Sequence, residues 1–413
     1  MNVSVGLIER QSAIEVELTG TFTDSSGKPY PPGRYRFTSE VTLTPSDLSS
    51  CAFALDNVTI GIGFHWERKE RQVFRGAFRL VKREAGLTVI NDVSLEEYVT
   101  SVISSEMSAS CPLELLKAHA VISRSWLWFP KANPSPFGRG QSDGLDSHEI
   151  LRWYGREAHL DFDVCADDHC QRYQGITKAF SPAAAEAVRA TAGEFLRYNG
   201  AICDARFSKC CGGITERFAT AWEDEDIPYL ESVYDGPAQS CSYSPETWIR
   251  SNPPAYCNTD DSELLSRVLP GFDQETRDFY RWRVAYTPEE LADLIRSRLA
   301  VGLGPIRDVQ ALARGPSGRI YRLKITGERD SIIIGKELEI RRALSRTHLY
   351  SSAFVVDKES GRFVLRGAGW GHGVGLCQIG AAVMANEGKP YTKILQHYYR
   401  GTTVSVRERV NPR

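Results

Sequence analysis

The first ninety or so residues alternate apolar and polar positions in short runs. Val3-Ser-Val-Gly-Leu, Ile14-Glu-Val-Glu-Leu, Tyr35-Arg-Phe, Val58-Thr-Ile-Gly-Ile, Gln72-Val-Phe-Arg-Gly-Ala-Phe-Arg-Leu and Leu87-Thr-Val-Ile-Asn all show it. A period of two sends successive side chains to opposite faces of a sheet, so half-buried strands are expected. The period then lengthens. Ser94-Leu-Glu-Glu97 has the Ser-x-x-Glu spacing in which each end satisfies an orphan amide of a helix start. It predicts a short helix over 95–104 carrying Tyr98 and Val102. Pro112 fits the first turn of a second helix over 112–129, with Leu113, Leu116, Ala120, Val121 and Leu127 on its apolar side. Pro130 should end that helix, and Pro134, Pro136, Gly138, Gly140 and Gly144 mark a loop.

Farther along, Thr287-Pro-Glu-Glu reads as a capped helix start, with Thr287 as N-cap and Pro288 at the first helical position. Arg314-Gly-Pro-Ser-Gly-Arg319 has hairpin-turn composition and precedes a strand from Ile320. Two helices are expected near Ala381 and from Tyr391. The pattern divides the chain into a β-rich region over 1–90, a helical region over 91–235, an irregular insertion over 236–279 and an α+β region over 280–413. The expected fold class is α+β: a mixed β-rich and helical core, with the second and last regions sharing one cleft.

Composition narrows the function classes. The 413 residues are 42% hydrophobic and 25% charged, with a net charge of −2. A chain this near neutrality offers no broad basic face to nucleic acid. No apolar run approaches the roughly 18 residues a membrane span needs. The N-terminus lacks a basic stretch followed by an apolar one, so no signal peptide is read there. Ten cysteines in such a length are too sparse for a disulfide scaffold.

Glycine occupies every second position from Gly367 to Gly375, with Trp370 and His372 between them and Gln378 just beyond. Read as a strand, this run has one bare face that another backbone or a ligand can approach closely, and one face bearing Ala368, Trp370, His372 and Val374. A bulge or tight corner is the structural alternative.

Three further groups carry chemistry. Glu106 lies between the two helices in Ser104-Ser-Glu-Met-Ser-Ala-Ser110, with few local charges. It is either a loop carboxylate facing water or a partly buried acid whose pKa is raised enough to donate a proton near neutrality. Lys117 and Arg124, seven residues apart, share a helix face that is either solvated or lines the cleft. His119 lies on another side of that helix and reads as structural. His159, Cys165, His169 and Cys170 supply two imidazoles and two thiolates within twelve residues, the donor set of a closed, structural zinc site in a small side lobe. A Cys165–Cys170 thiol pair or disulfide is the alternative. Cys210-Cys211-Gly-Gly suggests a close backbone approach with no evident partner.

Several of these segments occur together in one family. Leu95-Glu-Glu-Tyr-Val, Ser105-Glu-Met-Ser-Ala, Pro112 to Arg124, Phe207-Ser-Lys-Cys-Cys-Gly-Gly-Ile-Thr215, Arg314 to Arg319, Gly369 to Ala381 and His397-Tyr-Tyr-Arg-Gly-Thr402 resemble, in this order, the stage II sporulation protein D (SpoIID-like) family. That family groups peptidoglycan lytic transglycosylases with the LytB amidase enhancers. The resemblance covers roughly 90–235 and 280–406. It implies cleavage of the MurNAc–GlcNAc bond of cell-wall glycan, leaving 1,6-anhydro-MurNAc ends, with Glu106 as the one acid and base. It also implies a structural Zn2+ on His159, Cys165, His169 and Cys170, with Lys117, Arg124, Trp370, His372 and Gln378 contacting the sugar. The implied setting is the cell envelope, with glycan strands or a wall amidase as partners. The enhancer branch implies a non-catalytic, wall-binding alternative, and an ordinary hydrolase would add a second carboxylate such as Asp143 or Asp146. The sequence departs from the family at His119, Cys377 and Ile379, where Gln, Ser and Tyr are usual.

Overall fold

The computed structural model describes residues 1–63, 67–132, 148–154, 159–237, 244–271, 273–276 and 278–406. Asp143, Asp146 and Cys241 lie outside these. The alternating N-terminal segments form two sheets. Strands Asn2–Gln11, Gly86–Ser94, Ala77–Arg83, Val41–Pro45, Phe22–Asp24 and Pro29–Tyr30 are hydrogen-bonded in that order, and Gly33–Phe37, Ile14–Thr19, Ala52–Ile60 and Arg68–Phe74 form the second sheet. Their inward positions place Phe22, Phe53, Phe74 and Phe78 in a dry core. Phe53 stacks on Phe74 at 5.3 Å and meets Phe78 edge-on at 5.2 Å.

Helix α1 (Leu95–Glu106) leaves this sandwich directly from its long central strand, and Ser94 accepts the Glu97 N–H at 3.2 Å as its cap. The expected end at 104 is two residues short, so Glu106 closes the last helical turn instead of lying in a loop. Helix α2 (Leu113–Ala132) carries Pro130 inside its final turn and runs two residues beyond it. It is buried from Leu115 to Leu127 except at Lys117, and packs against α1 and the helices Pro182–Ala190, Gln378–Asn386 and Tyr391–Tyr398. Burying a helix on nearly all sides makes it the spine of the core. One apolar cluster runs from Val3 through both helices to Tyr399.

A second core lies between. Residues Trp282 to Leu365 build it from the antiparallel strands Ile306–Arg314, Ile320–Gly327 and Ser331–Gly335, the strands Arg281–Tyr286, Arg362–Ala368 and Phe354–Glu359, and the helix Pro288–Leu299. Thr287 and Glu290 close a complete capping box at the start of that helix. The segment expected to be irregular is partly helical, with Pro245–Arg250 and Ser262–Val268 capped by Ser244 and Asp261. The protein is thus mixed α+β, with several sheets and ten α-helices among the described residues.

A candidate active site around Glu106

A cavity of about 1380 Å³ runs between the N-terminal sandwich, the end of α1 and the second core. Its lining includes Glu106, Arg172, Lys209, Asp273, Trp370, His372 and Gln378. Glu106 is 8% exposed, and its Oε1 accepts the backbone N–H of Arg172 at 2.9 Å. Among the described residues no hydrogen bond claims Oε2. Burial pushes its pKa above the ordinary carboxylate range; the Arg172 guanidinium pulls it back in part, and Asp168 adds to the rise.

The two nearby cations do not pair with Glu106. Arg172 Nε holds Asp168 at 2.6 Å, and Lys209 Nζ holds Asp273 at 2.9 Å while donating to the Glu106 carbonyl at 3.0 Å. Arg172 also reaches Asp273 at 3.9 Å, so both cations are engaged by other carboxylates and desolvation is the dominant influence on Glu106.

The glycine run is not the bare-faced strand its spacing suggests. The strand ends at Ala368, and Gly369, Gly371, Gly373 and Gly375 take φ of +76°, +89°, +75° and +73°. Alternate residues of the run are left-handed, a conformation glycine adopts at little cost. Close approach is real as well. A Cβ on Gly373 would strike the guanidinium of Arg319. Arg319, fully buried, donates to the carbonyls of Gly371 at 3.0 Å and Cys211 at 3.1 Å. Trp370 exchanges both backbone hydrogen bonds with Cys210, at 2.7 and 3.1 Å, and its ring meets Tyr350 edge-on at 4.9 Å. His372 Nδ1 accepts the Val374 N–H at 3.0 Å, and burial together with the charges of Arg206 and Arg319 holds the ring neutral.

Gln378 opens the helix Gln378–Asn386, and its amide lies 2.9 Å from Nε2 of His119. Behind it, His119 Nδ1 contacts Ser123 Oγ at 3.1 Å. Burial and the Lys209 charge push the His119 pKa down to about 3, so it stays an uncharged partner of Gln378.

Lys117 and Arg124 do not line the cavity, which corrects the cleft reading of that helix face. Lys117 pairs with Glu114 at 2.7 Å, one turn away. Arg124 is sealed against α1, where Glu96 meets it at 2.6 Å, and it also donates to the Glu194 carbonyl. A charge on a buried helix face, such as Arg124, must be paired within the protein. The cations on the cavity wall come from other segments and include Arg172, Arg206, Lys209, Arg298, Arg341 and Arg342.

His159, Cys165, His169 and Cys170 bring their donor atoms within 4.8 Å of one another at the same cavity. His159 Nε2 is 3.3 Å and His169 Nδ1 3.5 Å from Cys170 Sγ. The set fits a four-coordinate ion. No separate side lobe carries it: Val164–Cys165 pairs in parallel with Val5 and Gly6 and extends the larger N-terminal sheet. A second group within 4.8 Å, fully buried, is Cys211, Asp235, Cys257 and Cys377. The vicinal cysteines hinted at it and Cys377 lies in the glycine-rich motif, but Asp235 and Cys257 come from segments that gave no signal.

Residues 83–198, which include Glu106 and the His159–Cys170 set, match the family model described as Stage II sporulation protein. The chain carries a SpoIID-family domain. Residues 216–375 match a model described as a domain of unknown function (DUF8618), which spans the second core. The stage II sporulation protein D of Bacillus subtilis (strain 168) is 28% identical over 79% of this chain and 78% of its own length. An uncharacterized protein of Brachyspira hyodysenteriae is 25% identical over 99% of this chain and 97% of its own. The amidase enhancer of Bacillus subtilis is 25% identical over 74% of this chain but only 40% of its own length. Among the described residues, no helix is long and apolar enough to cross a membrane.

Proposed function

We propose that the protein is a peptidoglycan lytic transglycosylase in which Glu106 is both acid and base. The reading rests on one observation above all: a buried glutamate whose ionisation burial opposes, one oxygen held by the Arg172 N–H and the other unclaimed, on the wall of a cavity shared with Trp370, His372 and Gln378. Protonated Glu106 gives its proton to the glycosidic oxygen as the bond to the anomeric carbon breaks. The resulting carboxylate takes the proton of the sugar's own C6 hydroxyl, whose oxygen bonds to that carbon and closes the 1,6-anhydro ring. A nucleophile within the substrate has a high effective concentration, so no second carboxylate and no activated water is required.

Trp370 offers a ring face to a sugar, and Gln378 and His372 offer neutral polar contacts to its hydroxyls. Arg206 and Arg342 replace Lys117 and Arg124 as partners for lactyl or peptide carboxylates. A structural zinc on His159, Cys165, His169 and Cys170 would fix the segment that presents the Arg172 N–H to Glu106; with four protein ligands its shell is closed. The SpoIID-named relatives favour action on the wall of a bacterial envelope.

The amidase-enhancer relative supports a second reading, in which the cavity binds glycan without cleaving it and a wall amidase is the partner. Incubation with glycan strands stripped of stem peptides separates the two. Anhydro-ended products by mass spectrometry, absent with Glu106→Gln, are expected. Products with reducing ends, or undiminished cleavage by that variant, would remove Glu106 as the acid. No cleavage but a faster wall amidase would favour the enhancer.

A further inference from the structure

The cluster behind the glycine run is built like a metal centre. Cys211 Sγ lies 3.6 Å from Cys257 Sγ and 3.3 Å from Asp235 Oδ2, and Cys377 Sγ completes a group whose donors all lie within 4.8 Å. Tetrahedral zinc with bonds of about 2.3 Å to sulfur keeps two thiolates roughly 3.8 Å apart, close to the separation here. An iron–sulfur cluster divides its four ligands among two or four irons and would spread the set beyond the 4.8 Å seen here.

The surroundings are those of ligands and not of idle thiols. The Cys211 N–H points at Cys377 Sγ at 3.2 Å, and the Gly213 N–H points at Cys211 Sγ at 3.3 Å. Backbone N–H groups aimed at sulfur stabilise thiolates. Tyr398 donates to Asp235 Oδ1 at 2.7 Å, and His397 Nε2 lies 3.8 Å from the same oxygen. Those contacts occupy one carboxylate oxygen and turn the other towards the sulfurs, the arrangement outer partners give a ligating carboxylate. All four side chains are sealed from water. A carboxylate in so dry a place is expected to be paired or to bind a metal.

We propose that Cys211, Asp235, Cys257 and Cys377 hold a second, structural zinc ion, distinct from the His159–Cys170 site and independent of whether the protein cleaves glycan. Its ligands come from four separate segments. Cys211 belongs to the loop whose neighbour Cys210 pairs with Trp370, Cys257 lies between the two helices of the 244–268 segment, and Cys377 immediately precedes Gln378. The ion would tie that segment to the wall carrying Trp370 and Gln378. The neighbouring Cys210 thiol, also buried, does not belong to the set whose donors lie within 4.8 Å of one another.

The test uses the full chain with the first site removed by Cys165→Ala and Cys170→Ala. Purified under reducing conditions, this variant should retain one zinc per chain by elemental analysis, and adding Cys257→Ser should release it. A folded variant without metal overturns the proposal, as does metal retained after Cys257→Ser or a Cys211–Cys257 disulfide in a peptide map. Should the variant fail to fold, the wild-type chain loaded with Co2+ gives the second readout. Its thiolate-to-cobalt absorption should weaken with Cys257→Ser alone; an unchanged spectrum overturns the site.

Discussion

Glu106 and Glu216 are both buried glutamates whose ionisation burial opposes, yet they are spent in opposite ways. Glu216 gives its carboxylate to four donors: the Arg217 N–H, the Thr220 hydroxyl, and the hydroxyl and N–H of Ser317, at 2.6–3.2 Å. Its own N–H holds the Gly373 carbonyl at 2.8 Å. It therefore clamps the glycine run to the turn that carries Arg319. Glu106 accepts a single backbone N–H and lies on the cavity wall. A raised pKa alone marks neither as an acid catalyst. What separates them is whether an oxygen remains for a ligand.

The largest expected effects set the two apart directly. Glu106→Gln should lower glycan cleavage by roughly 10²- to 10⁴-fold, the usual worth of a positioned acid–base group. Glu216→Ala should act on stability instead, by at least about 2 kcal/mol, because it strands several buried donors. Urea unfolding and product counting on both variants check this. Equal losses of activity per folded molecule would abolish the distinction.

Titration sharpens it. Cleavage needs Glu106 protonated, so the rate should fall about tenfold per pH unit above its raised pKa. Linkage gives the sign for stability. The folded state holds this proton more tightly than the unfolded chain, so the contribution is present at low pH and is lost as pH rises from the unfolded value to the folded one. Glu106→Gln carries no charge and escapes that loss, so near neutrality it should unfold at a urea concentration no lower than wild type. A clear drop in midpoint would mean that Glu106 is ionised and structural.

The same contrast explains what could be read from the chain. Features fixed by neighbours in sequence were legible: the Ser94 cap, the Thr287 capping box, the turn before Ile320, and a donor set confined to 159–170. Features fixed by packing were not. Arg124 reads as a face residue until Glu96 of α1 is seen against it. Arg319 reads as a turn residue, although its guanidinium fills the hollow beside Gly373. Asp235 and Cys257 carry no local signal, since their partners are distant along the chain. The glycine alternation was conspicuous, but a period of two looks the same whether it marks a strand face or alternating left-handed residues.

Gly373→Ala tests the scaffold half of the comparison at lower cost. Left-handed backbone costs a non-glycine residue about 1–2 kcal/mol, and the added Cβ would also press on Arg319. Stability should fall by at least that amount, with weaker glycan retention because Trp370 and His372 share the run. An unchanged unfolding midpoint would show that the run is not held as tightly as Glu216 and Arg319 imply.

The smallest effect belongs to a residue that acts only through another. His119 faces Gln378 from within the core and has no place on the cavity wall. With its pKa pushed down to about 3, it should add no inflection between pH 5 and 8. His119→Ala removes one neutral hydrogen bond worth about 1 kcal/mol, which is roughly a fivefold rise in KM if Gln378 holds the sugar. The acid is untouched, so kcat should stay near wild type. His119→Gln can still meet the Gln378 amide and should recover most of the lost affinity. A rise in KM that Gln does not rescue would indicate core damage; a fall in kcat with KM unchanged would place His119 on the chemical side with Glu106.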